Sequence, residues 1–172
     1  MPMADFEQRA RNYETAVSTA AHRVENFGYT HEPEVEVVSR VFGSFVIWLT
    51  AVEEARLQEH FKVDSRAYRK YIIDALPDED NPSWEWSSYE GQTGTLKQRA
   101  SALWGLRTVF AHGDGDLRLL QSKPNKRFAL SAVRCIAGVR RNRSRIELSS
   151  QIFHPAIKTV LQLQEIIPRQ LK

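Results

Sequence analysis

Apolar residues recur along the first stretch of the chain at alternating steps of four and three. Phe6, Ala10, Tyr13, Val17, Ala20, Val24 and Phe27 form one stripe over three heptads, which predicts a helix over residues 4–27. Gly28 follows in the position of a C-terminal cap. Such a stripe serves as core or as a dimer seam. The same spacing returns in Val38, Val41, Phe42, Phe45, Leu49 and Val52, predicting a second long helix from Pro33 to about Phe61. Its β-branched start and Gly43 allow a break near the beginning. A short third helix, capped by Asp64 or Ser65, carries Tyr68, Tyr71, Ile72, Ala75 and Leu76 and stops at Pro77.

Residues 77–94 show no regular apolar period and several turn formers, so they read as a long loop. Its Trp84, Trp86 and Tyr89 either pin the loop onto a bundle or stack nucleobases. Thr95 then opens a helix through about Ala111, ended by Gly113-Asp114-Gly115. Residues 117–137 fit a broken helix. Gly138 to Leu148 fit a short β-hairpin turning at Asn142, with Val139, Ile146 and Leu148 as its apolar positions. His154 and Pro155 begin a final helix with Ile157, Val160, Leu161, Gln164 and Ile167 on one face. The expected fold is therefore a single domain over residues 1–172. It is mainly α, a bundle of four to five helices with a small C-terminal β-hairpin or irregular insertion.

Composition fits that picture. Of 172 residues, 42% are hydrophobic and 26% charged, as in ordinary globular domains. The net charge of +3 hides an asymmetry: residues 1–86 carry 9 Lys/Arg against 16 Asp/Glu, and residues 87–172 carry 15 against 5. A basic half points to an anionic partner, nucleic acid being the commonest, unless the acidic half packs against it. The lone Cys135 has no partner for a disulfide and suits a reducing compartment. Asp5, Glu7 and Arg9 stand where a secretory signal would place its apolar segment, and the most apolar run, Phe45 to Leu49, is far too short to span a bilayer. The expected location is cytoplasmic, with no membrane contact.

The helix from Thr95 holds the chemistry. On a wheel of 100° per residue with Leu96 at zero, Ala100 falls at about 40°, Leu103 at about −20° and Phe110 at about −40°. Gln98, Ser101 and Gly105 take the opposite side. Arg107 falls at about 20°, inside the apolar stripe. A buried guanidinium needs a partner. It pairs with a carboxylate such as Glu53, Glu54 or Asp74, faces a subunit interface, or lines a cleft that takes an anionic substrate. His112 lies at the helix end, about 140° away on a regular helix, where the glycine-rich turn can redirect it. An imidazole beside a fixed arginine suits chemistry at a phosphate: one group moves protons and the other stabilises charge on the phosphoryl oxygens.

The stretch LRTVFAHGDGD, residues 106–116, resembles the motif of HEPN domains (higher eukaryotes and prokaryotes nucleotide-binding). In that family an Arg is followed by four to six residues and a His near the end of a late helix in an all-α bundle; here the spacing is four. Thr108 stands where the family often has Asn. The resemblance implies a metal-independent endoribonuclease, commonly a homodimer with two motifs facing one cleft, often in toxin–antitoxin or anti-phage systems and under an antitoxin or other regulatory protein. Carried over by position, Arg107 and His112 would be the catalytic pair acting on RNA; Thr108, Glu53, Glu54 and Asp114 are the candidates to support them, with a structural role open for the two glutamates. Several branches of the family keep the fold without cleaving RNA, so a binding module for nucleic acid or a protein partner stands as the alternative.

A second feature is RRNRSR, residues 140–145, which places Arg140, Arg141, Arg143 and Arg145 around a hairpin tip. It reads either as a contact for a phosphate backbone or as a solvated turn. His22, His31, His60 and His154 lack the spacing of metal ligands, and no phosphate loop, nucleophile elbow or dinucleotide fingerprint occurs. The expectation is a protein without cofactor or metal.

Overall fold

The computed structural model describes residues 3–26, 32–61, 76 and 94–170. Five α-helices run through them: α1 (Met3–Asn26), α2 (Glu32–Phe61), α3 (Leu96–Gly113), α4 (Lys123–Cys135) and α5 (Phe153–Gln170). A hairpin of β1 (Val139–Asn142) and β2 (Arg145–Leu148) lies between α4 and α5. The mainly α fold with a small C-terminal hairpin is as expected. The short helix proposed after Asp64 and the loop with Trp84, Trp86 and Tyr89 lie outside the described residues, apart from Leu76, which is buried.

The apolar stripes do what their spacing implies. Phe6, Ala10 and Val17 of α1 are buried, and the Tyr13 ring stacks on Trp48 of α2 at 4.6 Å. Phe42 and Phe45 of α2 meet Phe153 of α5 edge-on, at 5.4 and 4.7 Å. These aromatic contacts bind α1, α2 and α5 into one core. Helix α2 runs unbroken through Gly43. That glycine lies under the Phe110 ring, and a Cβ there would overlap it, so Gly43 is a packing position of α2 rather than a break.

Helix α3 is the centre of the molecule. Thr95 caps it: its hydroxyl accepts from the Gln98 amide while the Gln98 side chain accepts from the Thr95 amide, a complete capping box. The side that the wheel assigned to Gln98, Ser101 and Gly105 is not open to solvent. Ser101 and Gly105 are buried because α4, whose packing on α3 is the most extensive in the fold, covers them. Helix α4 presents Ala129, Ala132 and Cys135, all small, so the two backbones approach closely. At Gly105 a Cβ would run into the backbone of Phe128 and Ala129.

Residues 117–137 are indeed two pieces. A 3₁₀ turn, Leu117–Leu119, precedes α4, which starts at the cap Ser122 with Pro124 in its first turn. The hairpin pairs Val139 with Leu148 and Asn142 with Arg145. Its tip is Arg143-Ser144, one residue beyond the expected turn at Asn142, with Arg143 in the left-handed region at φ 53°. The Leu148 amide donates to the buried Ser39 hydroxyl of α2 at 3.0 Å, fixing the hairpin to the bundle.

Gly105→Ala tests the α3–α4 contact. The methyl group meets backbone on the α4 side rather than a side chain that can swing away, so urea unfolding should show a loss of about 1–3 kcal/mol. A neutral result would mean that α4 lies further from α3 than described.

Candidate functional site

The candidate residues sit around the C-terminal half of α3. Arg107 lies in an ion pair with Glu54 of α2, the guanidinium 3.3 Å from Oε2, and Glu54 also accepts from the Trp104 indole at 3.0 Å. Of the carboxylates proposed for Arg107, Glu54 is a partner and Glu53 is not, while Asp74 lies outside the described residues. The expected core-facing guanidinium is not found: the Arg107 side chain is 34% exposed. An arginine stem is long enough to leave an apolar stripe at its edge. Thr108 turns inward on its own helix, its hydroxyl donating to the Trp104 carbonyl at 2.9 Å.

Glu53 does not join this group. It is fully buried on another side of α2, where Arg56 donates to both its oxygens at 2.6 and 2.9 Å and Gln164 of α5 donates at 2.9 Å. Burial pushes its carboxyl above the usual range, while the Arg56 and Gln164 hydrogen bonds oppose the shift. Adjacent glutamates on a helix point about 100° apart, so only one of them can reach Arg107.

The arginine that the core does enclose is Arg99, fully buried on α3 and at about −60° on the wheel. One terminal nitrogen donates to the Gly94 carbonyl and the other to Gln162 Oε1 at 3.1 Å, while Nε has no hydrogen-bond partner among the described residues. Burial lowers its pKa from the ordinary arginine value. The wheel carries this signal at the edge of the apolar stripe, although Arg107 lies nearer the stripe's centre.

His112 is exposed on the last turn of α3. No hydrogen bond or ion pair joins it to Arg107, as the angular offset between the two positions leads one to expect. After it the chain reverses. Asp114 takes the left-handed conformation at φ 49° and Gly115 lies at φ 86°, with the Gly115 amide closing onto the Val109 carbonyl at 3.2 Å. A Cβ at Gly115 would crowd the Ile146 carbonyl and the Phe110 ring, so glycine is required here both for φ and for close approach.

That approach joins the turn to the arginine-rich hairpin. The Ile146 amide donates to the Gly115 carbonyl and the Leu117 amide to the Ser144 carbonyl, each at 2.8 Å, and Asp116 bridges Arg145 as an antiparallel strand would. Arg145 adds a bond to the Asp114 carbonyl at 2.8 Å, and Arg40 of α2 comes within 3.6 Å of the Asp114 carboxylate. Asp116 holds Arg118 through both oxygens, which draws its carboxyl down to about 2. At the hairpin itself Arg140 pairs with Glu147, which also accepts from Asn142, while Arg141 donates to the Arg143 carbonyl. Arg140, Arg141 and Arg143 are exposed. Nine Lys and Arg and no Asp or Glu occur from Leu117 to Ile146. No helix among the described residues is long and apolar enough to cross a membrane.

Two variants separate support from function. Arg99→Ala should lower stability by about 3 kcal/mol, because it opens a cavity and strands Gln162 and the Gly94 carbonyl; Arg99→Met, which fills the space, should recover part of the loss in urea unfolding. Asp116 tests the turn. Its carboxyl is drawn from 3.8 to about 2 in the fold, so it stabilises the native state above about pH 4, and this contribution fades as the pH falls toward 2. Unfolding curves across that interval should show less acid dependence for Asp116→Asn than for the parent; parallel curves would mean that the Arg118 contact contributes nothing.

Comparison with known proteins yields no matching family model, no matching curated protein and no matching solved structure.

Proposed function

We propose that the chain is a metal-independent endoribonuclease of HEPN type, acting as a homodimer in a toxin–antitoxin or phage-defence setting, with an antitoxin or other regulatory protein as its partner. The observation that carries this reading is the hydrogen-bonded joint between the turn after His112 and the hairpin of Arg140, Arg141, Arg143 and Arg145. It ties the arginine-bearing hairpin to the turn that follows the helix end bearing His112, which supports a reading in which one phosphate chain reaches both. Arg107 supports the same reading: Glu54 steadies it from behind while a third of its side chain stays open.

In the reaction the 2′-hydroxyl of RNA attacks the adjacent phosphorus. His112 accepts the hydroxyl proton and delivers a proton to the departing 5′-oxygen as the P–O bond breaks, leaving a 2′,3′-cyclic phosphate and a 5′-hydroxyl. Arg107 stabilises charge on the non-bridging oxygens. Asp114, anchored by Arg40, fixes the turn that follows the imidazole. A second reading, a nucleic-acid- or partner-binding module without catalysis, draws on the Glu54 pair, which accounts for Arg107 as a structural residue.

Cleavage of varied RNAs in the presence of a chelator decides between them. His112→Ala should slow cutting about 100-fold or more, and Arg107→Ala by a similar factor, with circular dichroism unchanged for both. Intact RNA at high concentrations of the parent protein would overturn the nuclease and leave the binding module.

A further inference from the structure

Beyond the hairpin tip, a groove of about 400 Å³ opens between α4 and β1, lined by Arg127, Leu130, Ser131, Val133, Arg134 and Arg141. Arg127, Leu130, Ser131 and Arg134 follow the i, i+3, i+4, i+7 pattern, one face of α4. That face is distinct from the small-residue face that packs on α3. Arg141 enters from β1, so three guanidinium groups from two elements border one space. Its remaining lining is apolar or hydroxylic: Leu130 and Ser131 are half-buried and Val133 is 37% exposed. Among the described residues no acidic side chain lines it.

We infer that this groove is a binding subsite for single-stranded RNA, taking phosphodiester groups on its arginines and a base edge or sugar on Leu130 and Val133. Arginine forks recognise phosphate oxygens in pairs, and an apolar floor gives the nucleoside a surface to cover. An acidic peptide would match the charge but leave that floor without a planar partner. The location fits a track toward His112. The groove borders β1, β2 lies between, and the backbone of Gly115 and Leu117 bonds to the far side of the hairpin, two strand spacings or about 10 Å across. The inference deepens the ribonuclease reading by naming where substrate flanking the cut is held.

The test uses the full chain and a fluorescent single-stranded oligonucleotide carrying 2′-methoxy groups, which binds as RNA does but cannot be cut by 2′-hydroxyl attack. Anisotropy at about 50 and about 200 mM salt gives affinity and its salt slope. The triple variant Arg127→Ala, Arg134→Ala, Arg141→Ala should weaken binding roughly tenfold or more and flatten the slope by about 2, about 0.7 for each lost phosphate contact. Arg127→Gln and Arg141→Gln alone, which keep most of the side-chain length, should each flatten it by about 0.7 with unchanged melting. Parent-like affinity and slope in the triple variant would overturn the groove while His112-dependent cleavage still stood. Preference of the parent for a polyglutamate peptide over the oligonucleotide would overturn it in favour of a protein partner. Cleavage failing while the groove variants still lose binding would instead sink the nuclease alone.

Discussion

Helix α3 is enclosed on nearly every side, and the fold depends on how that enclosure is made consistent with the polar residues the helix carries. A buried donor without an acceptor is penalised far more than a satisfied one is rewarded, so a polar group on α3 either finds its partner on a neighbour or turns back to its own helix. Arg99 requires Gln162 on α5 and the Gly94 carbonyl at its own start. Trp104 and Arg107 require Glu54 on α2. Ser101 and Thr108 turn back to their own helix, donating to the carbonyls of Lys97 and Trp104. The same logic spreads outward: once Glu54 faces α3, Glu53 is rotated away into the core and is matched there by Arg56 and Gln164. These contacts select one rotation of α2 and of α5, where apolar packing alone would tolerate several.

Arg99 and Arg107 show how one helix can use the same residue type for opposite ends. Among the described residues Arg99 meets only neutral acceptors and its Nε none, and its side chain is fully buried. It holds the beginning of α3 to α5. Arg107 meets a carboxylate and keeps a third of its side chain exposed. A carboxylate partner fixes a guanidinium in position without blocking all five of its donors, which is the condition for a second, exchangeable anion. The contrast follows from position along the helix rather than from chemistry: the N-terminal half is covered by α5, and the C-terminal half runs out toward a turn.

Much of this was legible in the sequence, and the rest was not for identifiable reasons. The α1 stripe, the Thr95–Gln98 cap, the glycine-rich stop after His112 and the hairpin depend on local spacing and turn chemistry, which one chain segment displays by itself. The fate of Arg99 and Arg107 depends on what stands opposite them. A wheel places both near the apolar stripe and cannot tell which end of the stripe is closed. Gly43 reads as a weak point of a helix, and Gly105 as part of its polar side, because the aromatic ring and the backbone that need their missing Cβ atoms come from distant segments. Arg40 gave no local sign of its role, since Asp114 is reached only after the bundle forms.

The hairpin carries the argument that joins fold to chemistry. Two strands this short are marginal alone, and this pair owes its order to contacts on both edges and one face. Leu148 is tied to Ser39 of α2, β1 packs on α4, and β2 bonds to the turn that ends α3. Within the fold Arg140 pairs with Glu147 and Arg145 donates to the Asp114 carbonyl, so part of the repulsion among the arginines is offset locally. Here a glycine at positive φ, a left-handed aspartate and two cross-segment amide bonds all serve to hold that cluster against the end of the helix that bears His112. The hairpin is thus joined to the end of α3 through its backbone as well as through Arg145.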